Sequence, residues 1–187
     1  MRILISQRDV RIPPSFFVFD ALERSWNVFL NKHHLIPVPN LGKIDETVEF
    51  DCLVLTGGPD SIERHLTEDL LFNHTLKLGK PIIGFCHGAF AVNDLTGGTN
   101  GTVDGHVDSE HEIVMYSDIY TVNSFHGQSI ETIGKDMEVV ARDLDGNIEA
   151  IKHNTLPIYG VSMRYNNYYI PLFKLCIKFY CIKITIV

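Results

Sequence analysis

The chain has 187 residues, enough for one domain with a substantial core, and 21% of its residues are charged. Its formal net charge of −7 argues against a general binder of phosphate backbones, which needs a basic face, so no nucleic-acid partner is expected. The four cysteines lack CxxC spacing and the N-terminal apolar run is too short for a secretory signal, so we expect a reducing, cytoplasmic location. Lysines interrupt the most apolar stretch, residues 170–187, so no membrane-spanning helix is expected.

Residues 1–96 alternate between strand-like and helix-like segments. Short β-branched or apolar runs predict strands at residues 2–6, 35–39, 51–55 and 81–85. Helical spacing of Phe19, Leu22 and Trp26 predicts an amphipathic helix that ends near residue 30, with Ser15 as its cap. A second helix is predicted over residues 61–78, capped by Ser61 and stopped by Gly79. Its predicted apolar face is made of Leu66, Leu70, Leu71, His74 and Leu78.

The pattern changes after residue 97. Residues 97–101 are predicted as a loop, and short strands are predicted at residues 113–116, 119–122, 137–141, 148–151 and 157–163. Residues 143–147 carry a hairpin signal between two of these strands. The sequence therefore predicts an open, mostly parallel α/β sheet with helices on both faces and a few antiparallel strands near the C-terminus.

The segment Gly84-Phe85-Cys86-His87-Gly88 follows a predicted buried strand and precedes a predicted helix. It is the cysteine form of a nucleophile elbow, in which a strained turn exposes the nucleophile above the sheet edge. A helix N-terminus also favours the thiolate, which is the reactive form of cysteine. The alternative is that Cys86 is a buried structural cysteine, since free cysteine is among the most buried residue types.

Two further stretches accompany this elbow. Thr56-Gly57-Gly58-Pro59-Asp60 follows a predicted strand and could expose backbone N–H groups, although a plain turn is the alternative. The other is Val-Asn-Ser-Phe-His-Gly-Gln at residues 122–128.

In this order, the three stretches resemble the class I glutamine amidotransferase-like family, and within it the γ-glutamyl hydrolase branch. The resemblance covers residues 1–161, and residues 139–150 extend it. Residues 6–8 and the segment around Trp26 also resemble bacterial members tied to capsule modification, which hydrolyse a γ-glutamyl nucleotide amidate. We therefore expect an amidotransferase-like domain at residues 1–161, followed by an atypical tail at residues 162–187.

The resemblance implies acyl transfer through a thioester on Cys86, with a small γ-glutamyl amide as substrate. It implies that backbone N–H groups of Gly57, Gly58 and His87 hold the oxyanion, and that His126 contacts the substrate. No metal or organic cofactor is implied.

The chain departs from the family after residue 161. The family places a histidine and a glutamate in a His-Pro-Glu motif here, whereas this chain has Arg164 and Asn166 at those positions. Arginine cannot accept a proton at working pH. Either a change of coding frame or of the gene's end replaced the motif, or the protein diverged and uses another tail. His126, or failing that His87, is then the candidate substitute base.

A second departure concerns the substrate. Amidotransferases usually carry glutamine four residues after the nucleophile, and this position is Phe90. A γ-glutamyl amide larger than glutamine is therefore favoured. The alternatives are a glutaminase subunit that passes ammonia to a synthetase partner, and a module that keeps the fold without catalysis.

Residues 104–111 hold several potential metal ligands, namely Asp104, His106, Asp108, Glu110 and His111. Their spacing differs from the His and Cys patterns of zinc sites, so the sequence predicts a solvated charged face and no metal site. By resemblance, His106 or His111 could also contact the substrate at the pocket mouth.

Overall fold

The computed structural model describes residues 1–163, which contain thirteen strands and three helices. The strands are β1 (Arg2–Ser6), β2 (Arg8–Arg11), β3 (Val18–Ala21), β4 (His34–Val38), β5 (Cys52–Leu55), β6 (Ile82–Phe85), β7 (Thr99–Thr102), β8 (Val107–Met115), β9 (Asp118–Phe125), β10 (Gln128–Thr132), β11 (Met137–Asp143), β12 (Ile148–His153) and β13 (Ile158–Val161). The helices are α1 (Arg24–Phe29), α2 (Ile62–Lys77) and α3 (His87–Leu95). None of these three helices is long and apolar enough to cross a membrane.

One large sheet organises the molecule. Its parallel region consists of β4, β1, β5, β6 and β13 in that order. From β13 the sheet continues antiparallel through β12, β11, β8 and β9, while β10 pairs with β12 and β7. We refer to β7–β12 as the antiparallel extension. The predicted fold class is confirmed, but residues 99–102 form β7 where the sequence predicted a loop.

Two apolar clusters cover the two faces of the parallel region. Along β5, Cys52 and Val54 belong to one cluster, and Leu53 and Leu55 belong to the other. This alternation is the period of two that a strand buried on both faces requires. Trp26 of α1 packs in the first cluster, while α2 and α3 pack in the second. The helices therefore lie on both faces, as predicted.

The first predicted helix is much shorter than expected. Residues 18–21 form β3, which pairs with β2 in a separate hairpin, and α1 begins only at Arg24. Phe19 is 48% exposed, so the aromatic spacing that suggested one long helix combined a hairpin residue with a core residue. Ser15 is no cap for α1, because its hydroxyl accepts a hydrogen bond from the Phe17 amide.

The second helix has the predicted ends but a different buried face. Ser61 caps α2 by accepting a hydrogen bond from the Arg64 amide at 3.1 Å, and Gly79 follows the helix with a φ of +62°. Leu66, Leu70 and Leu78 are exposed. The buried residues of α2 are Arg64, Thr67, Glu68, Leu71, Phe72 and Thr75. The buried face of α2 therefore includes the charged pair Arg64 and Glu68, which the leucine pattern had placed on the exposed face.

Candidate active site

Cys86 lies at a sharp turn between β6 and α3. Its backbone has φ +51° and ψ −112°, which is uncommon for a residue with a side chain and is found mainly at functional sites. The conformation is held on both sides, because the Cys86 amide donates to the Val161 carbonyl at 2.8 Å and its carbonyl accepts from Ala89 at 2.9 Å. The chain thus keeps the thiol at the carboxyl end of a central parallel strand.

The two glycines of the elbow serve close packing. A Cβ on Gly84 would lie 2.1 Å from the Gly88 carbonyl oxygen, and a Cβ on Gly88 would lie 2.3 Å from the Leu55 carbonyl oxygen. Such distances to backbone atoms leave no room for a side chain. Cys86 therefore takes the strained conformation itself, while the glycines let α3 approach the sheet.

The thiol faces a cleft of about 590 Å³. All five site residues expected from the sequence line this cleft, namely Cys86, Gly57, Gly58, His87 and His126. Arg8, Glu23 and Trp26 line it from the N-terminal segment, and Met163 lines it from the residues that follow β13. Residues far apart in the sequence therefore meet at one edge of the sheet, where open α/β sheets bind ligands.

The loop after β5 runs directly beside the nucleophile. A Cβ built on Gly57 would lie 3.1 Å from the Cys86 Cβ and 3.6 Å from its Sγ. Gly58 has φ +131°, a conformation that favours glycine. The N–H of Cys86 is already bonded to Val161, so it is not an oxyanion donor. The remaining candidate donors are the loop amides and the first amide of α3, which has no partner within its own helix.

Arg64 supports this loop from below and was missed by the sequence analysis. Its guanidinium is fully buried and donates to the carbonyls of Thr56 and Pro59 and to the Glu68 carboxylate. An arginine four residues before a glutamate in a predicted helix is the available sequence signal. The pair fixes the loop that carries Gly57 and Gly58.

Glu68 extends the same network to His87. Its carboxylate accepts a hydrogen bond from the Ser6 hydroxyl at 2.7 Å and lies 2.9 Å from His87 Nε2. Burial alone would raise the pKa of Glu68, but the His87 hydrogen bond and the Arg64 charge outweigh it and hold that pKa below its usual value. The His87 ring is thus anchored to Glu68, and its use as a base for Cys86 would require breaking this contact.

The two ring nitrogens of His126 lie near oxygen atoms of β10 and β12. Its Nδ1 lies 2.8 Å from the Gln128 carbonyl and carries the proton in that contact, while Nε2 lies 4.0 Å from Glu149 Oε2. Burial lowers the pKa of His126 to about 4, so the ring is neutral at pH 7. The Phe125 carbonyl next to it lies 3.9 Å from Cys86 Sγ. As the substitute base, His126 would need its ring to turn.

Comparison with known proteins decides the family. A family model described as Peptidase C26 matches residues 101–163. The glutamine-hydrolyzing GMP synthase subunit of Methanosarcina acetivorans is 32% identical over 136 residues, which are 67% of this chain and 70% of that protein. The chain belongs to the class I glutamine amidotransferase-like family. The gamma-glutamyl-CDP-amidate hydrolase of Campylobacter jejuni is 26% identical over 157 residues, 76% of this chain and 78% of that protein.

Solved structures show the same amidotransferase-like fold. A protein of Thermoplasma acidophilum, described as a GMP synthase subunit, has a TM-score of 0.68 at 20% identity, covering 88% of this chain and 83% of that one. A glutamine amidotransferase of Thermotoga maritima has a TM-score of 0.69 at 17% identity, covering 87% of this chain and 75% of that one. Arg164, Asn166 and the rest of the predicted tail lie outside the residues that the structure describes.

Cys52, the second cysteine that the structure describes, is buried, whereas Cys86 faces the cleft. Cys52 is 1% exposed within β5, and burial raises the pKa of its thiol to about 12. It stays protonated at neutral pH and has no access to a ligand. Cys52 is therefore a structural thiol, whereas Cys86 faces the cleft.

The charged run at residues 104–111 divides into two parts. Asp104, Asp108 and Glu110 face water as expected, but His106 is buried and His111 is mostly buried. Both histidines point toward Asp143 and Glu149, which come from β11 and β12. The lining that residues 1–163 give the cleft includes His126 but not His106 or His111, and His106 packs edge to face on His126 with ring centroids 5.2 Å apart. The solvated-face prediction is therefore wrong for the two histidines.

Proposed function

We propose that this protein hydrolyses a γ-glutamyl amide through a thioester on Cys86. The observation that carries the proposal is the strained turn at Cys86, which sets the thiol beside the Gly57 backbone in one cleft. A fold alone would not support it, since the same sheet serves many activities. A nucleophile on an elbow next to exposed backbone amides is the arrangement that acyl transfer requires.

In the first step, the Cys86 thiolate attacks the γ-carbonyl carbon, and the C–S bond forms as the negative charge moves to oxygen. The start of α3 favours the thiolate, and the loop and helix amides stabilise the oxyanion, each by roughly 3 kcal/mol. The C–N bond then breaks, and the amine takes a proton as it leaves. Water finally attacks the thioester, which releases the γ-carboxylate and restores the thiol.

Proton transfer is the weak part of this cycle. Arg164 occupies the sequence position where the family has its histidine, and it cannot take up a proton. His126 has a free lone pair on Nε2, but that nitrogen faces Glu149. We therefore expect turnover far below that of a complete triad, with acylation supported by the partly ionised thiol.

Phe90 supports a substrate larger than glutamine. It lines the cleft, is 2% exposed, and packs edge to face on His126 with ring centroids 5.6 Å apart. An apolar ring offers no hydrogen bond to a free glutamine amide. By analogy with the amidate hydrolase of Campylobacter jejuni, we propose a γ-glutamyl nucleotide amidate of cytoplasmic capsule modification as the substrate class.

A covalent trapping experiment tests the proposal. Full-length protein is incubated with diazo-oxo-norleucine, a glutamine analogue that alkylates nucleophilic thiolates, and the intact mass is measured. We expect one adduct per chain, mapped to Cys86, that is absent in Cys86→Ala and unchanged in Cys52→Ala. A folded protein that forms no adduct would contradict the thioester mechanism and favour a non-catalytic module.

A glutaminase subunit is the second candidate, because the relatives with at least 30% identity include the glutamine-hydrolyzing GMP synthase subunits of three Methanosarcina species. In this case, the protein would release ammonia to a synthetase partner. Measuring ammonia from glutamine beside amine release from a γ-glutamyl anilide separates the two activities. Release from glutamine that rises when a synthetase subunit is added would favour this candidate.

A further inference from the structure

A histidine–carboxylate cluster lies inside the antiparallel extension, apart from the nucleophile. It consists of His106, His111, Asp143 and Glu149, which each offer a ligand atom, and these atoms lie within 4.8 Å of one another. His106 directly precedes β8, His111 lies in β8, Asp143 ends β11 and Glu149 lies in β12. The cluster therefore joins three neighbouring strands at one interior point.

Glu149 stands at the centre of this cluster. Its Oε1 atom lies 3.2 Å from His106 Nδ1 and 3.6 Å from His111 Nε2. Ligands bound to zinc at about 2.1 Å in a tetrahedron stand about 3.4 Å apart. The two distances bracket this spacing. The His106 and His111 rings are stacked with centroids 4.4 Å apart, so at least one ring must turn for both nitrogen lone pairs to face one ion.

Asp143 supports one of these ligands from behind. Its Oδ2 atom lies 3.1 Å from His106 Nε2, the ring nitrogen opposite the one that faces Glu149. A carboxylate that accepts the outer N–H of a histidine fixes the ring and its tautomer, which leaves the inner nitrogen free to bind a metal. Backbone and side chain of Asn147 donate to Asp143 at 2.7 Å and hold it in place.

Several nitrogen atoms of the site are buried without a hydrogen-bond partner. They are His106 Nδ1, both ring nitrogens of His111, and Nε2 of His126. The residues His106 and His126 are only 6% and 7% exposed. A buried polar atom without a partner costs free energy, so a ligand that binds His106 Nδ1 and His111 Nε2 would stabilise the fold.

The charges of the site also favour the binding of a cation. The ion-pair partners of Glu149 within residues 1–163 are histidines, and Asp143 adds a second carboxylate next to them. We propose that His106 Nδ1, His111 Nε2 and Glu149 Oε1 bind one divalent transition-metal ion, with Asp143 orienting His106. Imidazole and carboxylate donors without a thiolate suit Zn²⁺, Co²⁺ and Ni²⁺.

The site is distinct from the proposed chemistry at Cys86 and does not depend on it. His126 separates the two, with one side in the cleft and its Nε2 4.0 Å from Glu149 Oε2. An ion bound there would fasten β8, β11 and β12 together and fix the wall that carries His126. Its expected effect is therefore on stability and on the position of that wall.

Metal titration of the full chain tests this proposal. Cys86→Ala protein is freed of metal with a chelator and dialysed, so that this thiol cannot bind the ion, and Zn²⁺ is added by calorimetric titration. We expect one ion per chain and a higher Tm with zinc. We expect His111→Asn or Glu149→Gln to weaken binding at least tenfold, and Glu110→Gln, an exposed neighbour of His111, to leave it unchanged.

Three outcomes would overturn the proposal. The first is no stoichiometric uptake by the folded protein. The second is uptake that both His111→Asn and Glu149→Gln leave unchanged, with circular dichroism showing which variants fold. The third is a Co²⁺ spectrum with thiolate charge-transfer bands, which would place the ion on a cysteine even if neither variant folded.

Discussion

The parallel region with the helix α2 packed on it, and the antiparallel extension, each bury one glutamate, at Glu68 and Glu149, and each residue is 1% exposed. Glu68 lies against the Arg64 guanidinium, the Ser6 hydroxyl and His87, and these contacts hold its pKa below the usual value despite burial. Glu149 has histidines and Asp143 around it, and burial together with the Asp143 charge raises its pKa to about 7, against a stabilising hydrogen bond from Ser162.

The two glutamates differ in pKa because the two regions offer different countercharges to the buried carboxylate. Beside the nucleophile, a fixed cation from α2 neutralises the buried carboxylate and holds the loop that carries Gly57 and Gly58. Around Glu149, the ionisable neighbours within residues 1–163 are groups that titrate, and the Ser162 hydroxyl adds a neutral hydrogen-bond donor. The parallel region is therefore electrostatically complete, whereas the antiparallel extension needs either a proton or an external cation to hold its glutamate.

Removing the fixed cation should have the largest effect. Arg64→Met leaves Glu68 buried without its guanidinium, so we expect the free energy of unfolding to fall by about 3–5 kcal/mol. Urea denaturation measures it. Arg2→Met is the matched control, since its pair with Glu49 at 3.1 Å is solvent-exposed and is worth less than about 1 kcal/mol. Equal losses in the two variants would contradict the contrast drawn between the regions.

Glu149 should have a smaller effect on the free energy of unfolding, measured on chelator-treated protein. Its contribution is lost toward high pH, whereas that of Glu68 is lost toward low pH. The folded pKa of Glu149, about 7, lies above the ordinary 4.5, so its contribution is present below 4.5 and is lost as the pH rises through 7. The Glu149 contribution alone should therefore fall by on the order of 2 kcal/mol between about pH 5 and about pH 8, while His126, whose pKa is lowered to about 4, contributes a gain in stability over part of the same range. The difference in stability between wild type and Glu149→Gln should therefore shrink by this amount across the range, and Glu138→Gln, on the exposed surface, should keep the wild-type pH profile.

Glu68 should produce the smallest measured change, on the acid side. Its folded pKa is lowered, so its contribution is present above the ordinary value of 4.5 and is lost as the pH falls through the folded pKa. The stability of Glu68→Gln should thus decline less steeply in acid than that of wild type, whatever its stability at pH 7. Glu63→Gln, an exposed change on the same helix, should keep the wild-type slope. If stability falls equally steeply with decreasing pH in all three proteins, Glu68 is not the group whose lowered pKa stabilises the fold.

Local patterns in the sequence predicted the elements of the parallel region well. The buried strands β5 and β6, the cap at Ser61 and the elbow at Cys86 were placed correctly, because each depends on neighbouring residues. The aromatic spacing around Phe19 misled the prediction, because helical periodicity over a few residues cannot exclude a hairpin. The leucines of α2 misled it too, since tertiary contacts buried Arg64 and Glu68 instead.

The sequence predicted only part of the candidate active site. Family-like motifs brought Gly57, Cys86 and His126 into one expected cleft, and the structure lines the cleft with them. The support by Arg64 was not foreseen, although its spacing to Glu68 offered a signal. The meeting of His106 with Asp143 and Glu149 depends on the pairing of β8 with β11 and of β11 with β12, which no local pattern specifies.

The strand β13 lies between β6 and β12, so it joins the two regions although it is the last described strand in the chain. During synthesis, more than 150 residues must leave the ribosome before this strand can be inserted. Until then, β6 and β12 each present an open edge, which is a template for pairing with another chain. The middle of the sheet therefore forms last. Its formation depends on contacts between residues far apart in the sequence, and such contacts slow folding. A chaperone that shields these two edges should raise the yield of folded protein more than one that acts on the finished chain.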